Sequence, residues 1–230
     1  MTRTSTAIVT GYSSGLGEAI SAELLRNGWH VVGVSRKNDS ERLLADFGDR
    51  ITPVKGSVNL DETASSAFAA ATQSGDLRLV VNCAGQGVFG EIGGYNADDI
   101  NNAMAGNLVG LILFSDYAVR ALSQGGGDIV NVMSTASKKL RTAESVYCAA
   151  KWGAKAYTRT LRDALKAKKL PIRVFEVYPC GMNTPFWQEA VRPVAEGSVF
   201  PAPEPIAETI VTEVLAKRSA YVQELTFERG

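Results

Sequence analysis

Short apolar runs alternate along the chain with segments in which apolar residues recur every three or four positions. The runs are rich in Val and Ile and mostly lack alternation with polar residues, which is typical of strands buried on both faces of a parallel sheet. They lie at residues 7–9, 30–34, 51–54, 77–82, 128–133, 172–177 and 221–227. Segments with helical periodicity separate them, at residues 17–27, 61–73, 98–123, 145–168 and 205–218.

This order predicts an α/β fold: a single Rossmann-like, doubly wound parallel sheet of about seven strands with helices on both faces. No internal repeat and no linker rich in Pro, Gly or Ser divides the chain, so we expect one domain over residues 1–230. Prolines are concentrated between Pro179 and Pro205, where no apolar period is visible. Because long irregular segments in compact domains usually carry function, we interpret residues 185–205 as a substrate loop.

The charge balance narrows the classes of partner. The 24 basic and 24 acidic side chains cancel, which argues against nucleic acid and against a membrane surface. The longest apolar stretch, residues 108–114, is far shorter than the ~20 residues that span a bilayer, and no signal-peptide pattern is visible at the start. Three widely spaced cysteines and one His favour neither a disulfide framework nor a metal site. We expect a cytoplasmic protein.

A glycine-rich turn, TGYSSGLG, joins the first predicted strand to the first helix. In this context glycines let the backbone approach a pyrophosphate, and the helix N-terminus offers free N–H groups and a positive dipole end. An ordinary strand-to-helix turn is the alternative interpretation. The candidate dinucleotide-binding residues of the turn are Gly11, Ser13, Ser14, Gly15, Leu16 and Gly17.

The end of the second strand bears on the choice of cofactor. A carboxylate about 20 residues past the glycines is typical of NAD sites, where it accepts a bond from the ribose 2′-hydroxyl. Here Arg36 and Lys37 occupy that place and the first carboxylate is Asp39. A 2′-phosphate requires basic side chains, so the sequence favours NADP (NADPH) over NAD. A solvated basic loop is the alternative.

Three polar residues follow the fifth strand at informative spacings. Ser134 stands at the carboxyl end of that strand, the edge where such sheets bind ligands. Tyr147 and Lys151 are four residues apart in a helical segment and therefore share one helix face. We expect the lysine cation to lower the pKa of the phenol and to prepare it for proton transfer.

With these motifs in place, the chain resembles the short-chain dehydrogenase/reductase family over nearly its whole length. The turn from Thr10 to Gly17 resembles that family's cofactor turn, and residues 81–85, VNCAG, resemble its NNAG stretch with Cys83 in place of the second Asn. Residues 179–184 resemble its segment after strand six. The residues matching its catalytic tetrad in order and spacing are Asn107, Ser134, Tyr147 and Lys151.

The resemblance implies hydride transfer between nicotinamide and a small carbonyl or alcohol substrate. It implies that Tyr147 exchanges the proton, that Ser134 holds the substrate oxygen, that Lys151 binds the nicotinamide ribose and that Asn107 holds a relay water. The further cofactor contacts that it implies are Ser57, Val58, Asn82, Ala84, Gly85, Tyr147, Lys151, Pro179, Gly181 and Thr184.

The resemblance also implies a homodimer or homotetramer formed through the long helices. The apolar residues that we expect to form spare surface there are Leu108, Leu111, Ile112 and Phe114.

The sequence departs from the family pattern at three positions. Cys180 stands where Gly usually follows the Pro of the last motif, Ser57 replaces an Asp that meets the adenine, and Ser14 stands where many NADP-dependent members carry a basic residue. The preference for NADP therefore depends on Arg36 and Lys37.

Two further functions remain as alternatives. A non-catalytic NADP(H)-sensing protein would have no need of the tetrad. A sugar-nucleotide epimerase or dehydratase would need a larger C-terminal domain than the residues after Thr184 provide. Phe186 and Trp187 have two interpretations, as packing within the loop or as an aromatic wall for substrate.

Overall fold

The computed structural model describes residues 3–36, 39–188, 190, 200–216 and 220–229. Its strands are β1 (Ser5–Thr10), β2 (His30–Ser35), β3 (Ile51–Lys55), β4 (Asp76–Asn82), β5 (Gly127–Val132), β6 (Ile172–Tyr178) and β7 (Glu224–Thr226). Its α-helices are α1 (Gly15–Arg26), α2 (Glu41–Phe47), α3 (Asp61–Ser74), α4 (Ala97–Met104), α5 (Gly110–Leu122), α6 (Ser145–Ala167) and α7 (Pro203–Leu215).

The seven strands form one parallel sheet in the order β3-β2-β1-β4-β5-β6-β7. Successive strand residues point to opposite faces, so Ala7 and Val9 enter one apolar layer with α1 and α7, whereas Ile8 enters the other with α3 and α5. Helices therefore cover both faces, and the predicted Rossmann-like α/β sheet is confirmed. The strand order reverses between β1 and β4, which opens a crevice at the carboxyl ends of the strands.

Several element boundaries differ from the sequence-based prediction. Helix α2 was not predicted, because it is short and buries only Leu43; its sequence signal is the N-cap Ser40, whose hydroxyl accepts a bond from the Leu43 amide. Strand β7 is three residues long, shorter than the predicted 221–227. Of the predicted substrate loop, residues 189 and 191–199 lie outside the described part of the chain.

The predicted helix 98–123 is divided by a turn of π-helix, Ala105–Val109, between α4 and α5. Counted continuously from Ala97 to Leu122, it is long and apolar enough to cross a membrane by length and composition alone. Leu111 and Phe114, expected above as spare apolar surface, are buried in the domain's own core, so that part of the expectation is wrong. A core helix passes the same test of length and composition.

Candidate active site

A cleft of about 340 Å³ follows the carboxyl edge of the sheet. It begins at the glycine turn after β1 and ends at the start of α6 and the segment after β6. The predicted residues that line it are Gly11, Ser13, Ser14, Gly15, Leu16, Gly17, Arg36, Ser57, Val58, Ala84, Gly85, Ser134, Tyr147, Lys151, Pro179, Gly181 and Thr184. The sequence motifs, spread over some 170 residues, thus meet in one place.

The glycine turn has the shape that a dinucleotide cradle requires. Gly11 and Gly15 have φ values of 72° and 56°, a region that L-residues seldom adopt. A Cβ on Gly11 would lie 2.9 Å from the Cα of Ala84, and one on Gly17 would lie 2.7 Å from the carbonyl carbon of Gly11. Only glycine fits at these positions, so the observed backbone agrees with a site for a nicotinamide dinucleotide.

The start of α1 adds an anion-binding end to this turn. Its N-cap residue, Ser14, makes no side-chain capping hydrogen bond to the first turn of the helix. The amides of that turn point out of the helix towards the cleft and carry the positive end of the helix dipole. This end suits a pyrophosphate.

Thr10 fastens the turn after β4 to the turn after β1. Its hydroxyl oxygen accepts hydrogen bonds from the backbone amides of Cys83 and Ala84, each at 3.1 Å. Burial raises the pKa of the Cys83 thiol to about 12, so the residue that replaces the second Asn of the motif is a neutral thiol at physiological pH.

One end of the cleft is formed by the ends of β2 and β3 and the residues that follow them. Arg36 is exposed, and its Nη1 lies 3.5 Å from Oε1 of Gln86 across the cleft. Lys37, the second predicted basic residue, lies outside the described residues. The Ser57 hydroxyl donates to Oδ1 of Asn59 at 2.6 Å. Its proton is therefore already used, and is not available for the contact with adenine that the resemblance implies at this position.

Tyr147 and Lys151 are both buried, with 6% and 4% of their surface exposed. They share one face of α6, and Nζ of Lys151 stands 5.8 Å from the centre of the Tyr147 ring. Nζ also donates to the carbonyl oxygen of Val132 at the end of β5, at 3.1 Å. Because Ser134 lies two residues after the end of β5, the phenol, the ammonium and the serine hydroxyl line the same end of the cleft.

Burial is the largest cause of the pKa shifts of Tyr147 and Lys151. Burial raises the pKa of Tyr147 well above its usual value, a hydrogen bond with Ser134 works in the opposite direction, and the nearby Glu144 carboxylate raises it further. Burial lowers the pKa of Lys151 to about 8. We expected the lysine cation to lower the pKa of the phenol, and this expectation is wrong for the side chains alone, because the loss of solvation is the larger effect.

Asn107 lies in the π turn and is 1% exposed. The amide of Gly110 donates to Ala105 five residues back, which swings Asn107 towards the turn after β4. Nδ2 of Asn107 donates to the carbonyls of Gln86 and Ala103 at 2.9 and 3.0 Å, and Oδ1 accepts from the Gln86 amide at 3.3 Å. The side chain therefore holds the loop beside Lys151 in place.

Gly85 is the point at which that loop passes closest to the buried pair. A Cβ on Gly85 would lie 2.7 Å from Oδ1 of Asn107 and 3.5 Å from Nζ of Lys151. Any larger residue would push the loop out of position.

Asn82 does not line the cleft, and its predicted contact with the cofactor is therefore wrong for the side chain. Nδ2 of Asn82 donates to Asn131 at 2.8 Å and to Ser115 at 3.0 Å, and Asn131 in turn donates to Thr158 on α6 at 2.9 Å. This buried network joins β4, β5, α5 and α6. It thereby sets the position of the helix that carries Tyr147 and Lys151.

Comparison with known proteins bears directly on this arrangement. The family model described as short chain dehydrogenase matches residues 5–194. The chain belongs to this family. The matched range includes most of the residues that line the cleft, and the protein is an oxidoreductase with a nucleotide-binding Rossmann fold.

Individual proteins that are similar to this chain share only about a quarter of its sequence. An uncharacterized oxidoreductase of Staphylococcus aureus (strain N315) is 27% identical over 224 residues, 96% of this chain and 95% of the relative. Farnesol dehydrogenase of Aedes aegypti is 27% identical over 235 residues, 96% and 94% of the two chains. The structure of an alcohol dehydrogenase from Thermococcus sibiricus, complexed with 5-hydroxy-NADP, has a TM-score of 0.86 at 24% identity and covers 97% of this chain and 96% of its own.

Aromatic side chains line the end of the cleft beside Tyr147. The ring of Phe89 meets that of Tyr147 edge-on at 5.7 Å and stacks on Trp187 at 5.6 Å. Phe186 lies 5.9 Å from Tyr147, and Phe200 stacks on Trp187 at 4.9 Å. Phe186 and Trp187 therefore both pack within the loop and line the cleft, which reconciles the two interpretations.

Among the cleft residues that were not found from the sequence, four bear on function. Phe89 and Gln86 follow the fourth strand but match no position of the family motifs quoted above. Arg141 and Glu144 precede Tyr147 and form an ion pair at 3.4 Å. None of the four could be recognised from its neighbours in the sequence, because each reaches the cleft only when the loops around the sheet edge are assembled.

Proposed function

We propose that this protein is an NADPH-dependent reductase of small, apolar carbonyl compounds, or a dehydrogenase of the corresponding alcohols. The observation that supports this most directly is the buried pair Tyr147 and Lys151, with Ser134 beside it, at the end of a cleft whose other end is the glycine cradle. A sensing protein would need the cradle but not a buried proton donor beside it.

The protein's own groups would act on the substrate oxygen. When bound, the nicotinamide cofactor supplies or accepts the hydride. The Tyr147 hydroxyl donates its proton to the oxygen of the carbonyl as negative charge develops there, and Ser134 donates a hydrogen bond to the same oxygen. Both contacts strengthen as the charge grows, so they stabilise the transition state more than the ground state.

Lys151 and Asn107 would serve the proton donor. Lys151 would bind the nicotinamide ribose, and its lowered pKa of about 8 allows it to pass a proton towards Tyr147 near neutral pH. Asn107 would hold the relay water that connects Lys151 to solvent. Because both side-chain protons of Asn107 are already engaged by Gln86 and Ala103, this water would bind its other polar atoms.

The cofactor choice rests on Arg36. Its exposed guanidinium lines the adenosine end of the cleft, where a planar fork can hold a 2′-phosphate with two hydrogen bonds. Lys37 would add a second positive charge.

The aromatic wall supports an apolar substrate. Phe89, Phe186 and Trp187 face the space beside Tyr147, and the charges of Arg141 and Glu144 at its rim neutralise each other. A flat, uncharged carbonyl compound would bury its surface against these rings at little desolvation cost. The relative from Aedes aegypti is named for an apolar alcohol, which agrees with this class.

The test is turnover of NADPH and NADH, followed by nicotinamide absorbance, against aromatic, aliphatic and carboxylated ketones. We expect turnover of the uncharged ketones and, for Tyr147→Phe, a ~10²–10⁴-fold loss with nucleotide binding retained within a few-fold. Tyr157→Phe, on the same helix, is the control and should retain activity. NADPH binding without turnover of any ketone or alcohol would favour the sensing protein instead.

A further inference from the structure

Tyr12 is a buried phenol inside the glycine turn, and no step proposed above uses it. The residue is 0% exposed and belongs to the apolar layer beneath α1 and α7. Its ring lies on Gly33 of β2, where a Cβ would come within 2.6 Å of Cδ1 and closer still to Cγ. The ring thus has one position, and it directs the hydroxyl towards the loop that follows β2.

The hydroxyl of Tyr12 donates to Oδ1 of Asp39 at 2.7 Å. Burial, this hydrogen bond and the charge of Asp39 all raise the pKa of Tyr12, so the phenol remains a neutral donor at every physiological pH. Neighbouring Ser40 donates to Oε1 of Glu18 on α1 at 2.5 Å. Two hydrogen bonds therefore fasten the start of α2 to the elements that cradle the dinucleotide.

Asp39 is the first carboxylate after Arg36, three residues further along the chain. An acidic group near the end of β2 would accept a hydrogen bond from the ribose 2′-hydroxyl of NAD and would repel the 2′-phosphate of NADP. In the structure this carboxylate is instead bonded to a phenol that is itself buried within the turn. Arg36 lines the cleft and reaches Gln86, whereas Asp39 is not among the described residues that line it.

We propose that Tyr12 is a specificity-determining residue, because its hydroxyl holds the Asp39 carboxylate away from the 2′-phosphate site of Arg36. The inference rests on the proposed function in that it assumes a nicotinamide dinucleotide in the cleft. It does not depend on which of the two nucleotides the wild type prefers, since it concerns how the ratio of their affinities changes. Tyr12 is a positioning residue and touches no reacting atom.

The experiment is calorimetric titration of NADPH and of NADH into four proteins: wild type, Tyr12→Phe, Asp39→Asn and the double variant. Phe keeps the ring on Gly33 and removes only the donor. We expect Tyr12→Phe to lower the ratio of NADPH to NADH affinity about tenfold, the effect of ~1.4 kcal/mol. In the Asp39→Asn background the same change should leave the ratio within about twofold, because no charge is then released.

Other outcomes would overturn the proposal. If Tyr12→Phe weakens both nucleotides equally, or lowers the ratio as much in the Asp39→Asn background, the hydroxyl only stabilises the turn. If Asp39→Asn alone raises the ratio tenfold, the carboxylate already acts on the phosphate and Tyr12 does not withdraw it. That second result does not depend on the folding of Tyr12→Phe. A wild type that prefers NADH would contradict the proposed cofactor, and the change in ratio would still be read from the same titrations.

Discussion

The ammonium nitrogen of Lys151 stands 5.8 Å from the centre of the Tyr147 ring, and both side chains are buried. The two groups lie one helical turn apart, at a distance where a cation favours a neighbouring phenolate. Burial opposes this effect for each: it raises the pKa of Tyr147 and lowers that of Lys151. In the protein alone, the pair is therefore a neutral phenol beside an ammonium that loses its proton near pH 8.

The state of the phenol can be measured directly. We predict that the native wild type and Tyr147→Phe titrate the same number of tyrosines below about pH 11, one unit above the ordinary value of ~10, because Tyr147 is still protonated there. Ultraviolet difference spectra give the count. In strong denaturant the wild type should titrate one tyrosine more than the variant, which is the control. A native wild type with an extra phenolate below about pH 10 would contradict the prediction.

Lys151 should make stability depend on pH. Its pKa is about 8 in the folded protein and ~10.4 unfolded, so between these values the unfolded state binds more protons and stability rises with pH. We predict that Lys151→Met is more stable than the wild type at pH 7 and that the difference shrinks towards pH 10. Denaturant unfolding at several pH values measures it. Lys166→Met, an exposed position on the same helix, should show no such trend, and a constant difference for Lys151→Met would show that burial of the ammonium is not the cause.

Arg36 should carry the discrimination between the two nucleotides. A hydrogen bond to a charged group contributes ~1.5–3 kcal/mol, so Arg36→Ala should weaken NADPH about ten- to a hundredfold and leave NADH nearly unchanged. Binding titrations with both nucleotides measure this. Arg42→Ala removes a neighbouring exposed guanidinium that pairs with Glu18 and is the matched control. Equal affinity of the wild type for the two nucleotides would show that the basic residue is only solvated.

We propose a homodimer or homotetramer. Fewer exposed apolar residues support it than the sequence suggested. Val109 and Trp152 expose 45% and 40% of their surface on the π turn and on α6, although both are large and apolar. Such surface on neighbouring helices favours a subunit contact. We predict an oligomeric mass by light scattering and its reduction in Trp152→Glu, whereas Leu140→Glu, at a position 77% exposed in a loop, should leave the mass unchanged. A monomeric wild type at micromolar concentration would contradict the proposal.

The sequence pattern predicted the structure correctly where a single segment determines its own conformation. The strands were found because apolar runs without alternation are stable only between two covered faces, as the buried β1 and β4 show. The turn between Gly11 and Gly17 was found from the spacing of its glycines, since the backbone leaves no room for a side chain at Gly11 or Gly17. Ser134, Tyr147 and Lys151 were placed by strand end and helix period, which are also local properties.

Tertiary structure decided what depends on distant neighbours. Asp39 is bonded to a residue 27 positions earlier, Asn82 to one 49 positions later, and Phe89 packs on Trp187 from another loop. The upward shift of the Tyr147 pKa was likewise set by burial among several elements. The sequence by itself determined the sheet, the glycine turn and the placing of Ser134, Tyr147 and Lys151 at one edge, because these follow from backbone sterics and periodicity. Only the folded chain decided which charges are paired, which polar groups are buried and which aromatic side chains line the cleft, because solvation and contact across the sheet edge exist only after assembly.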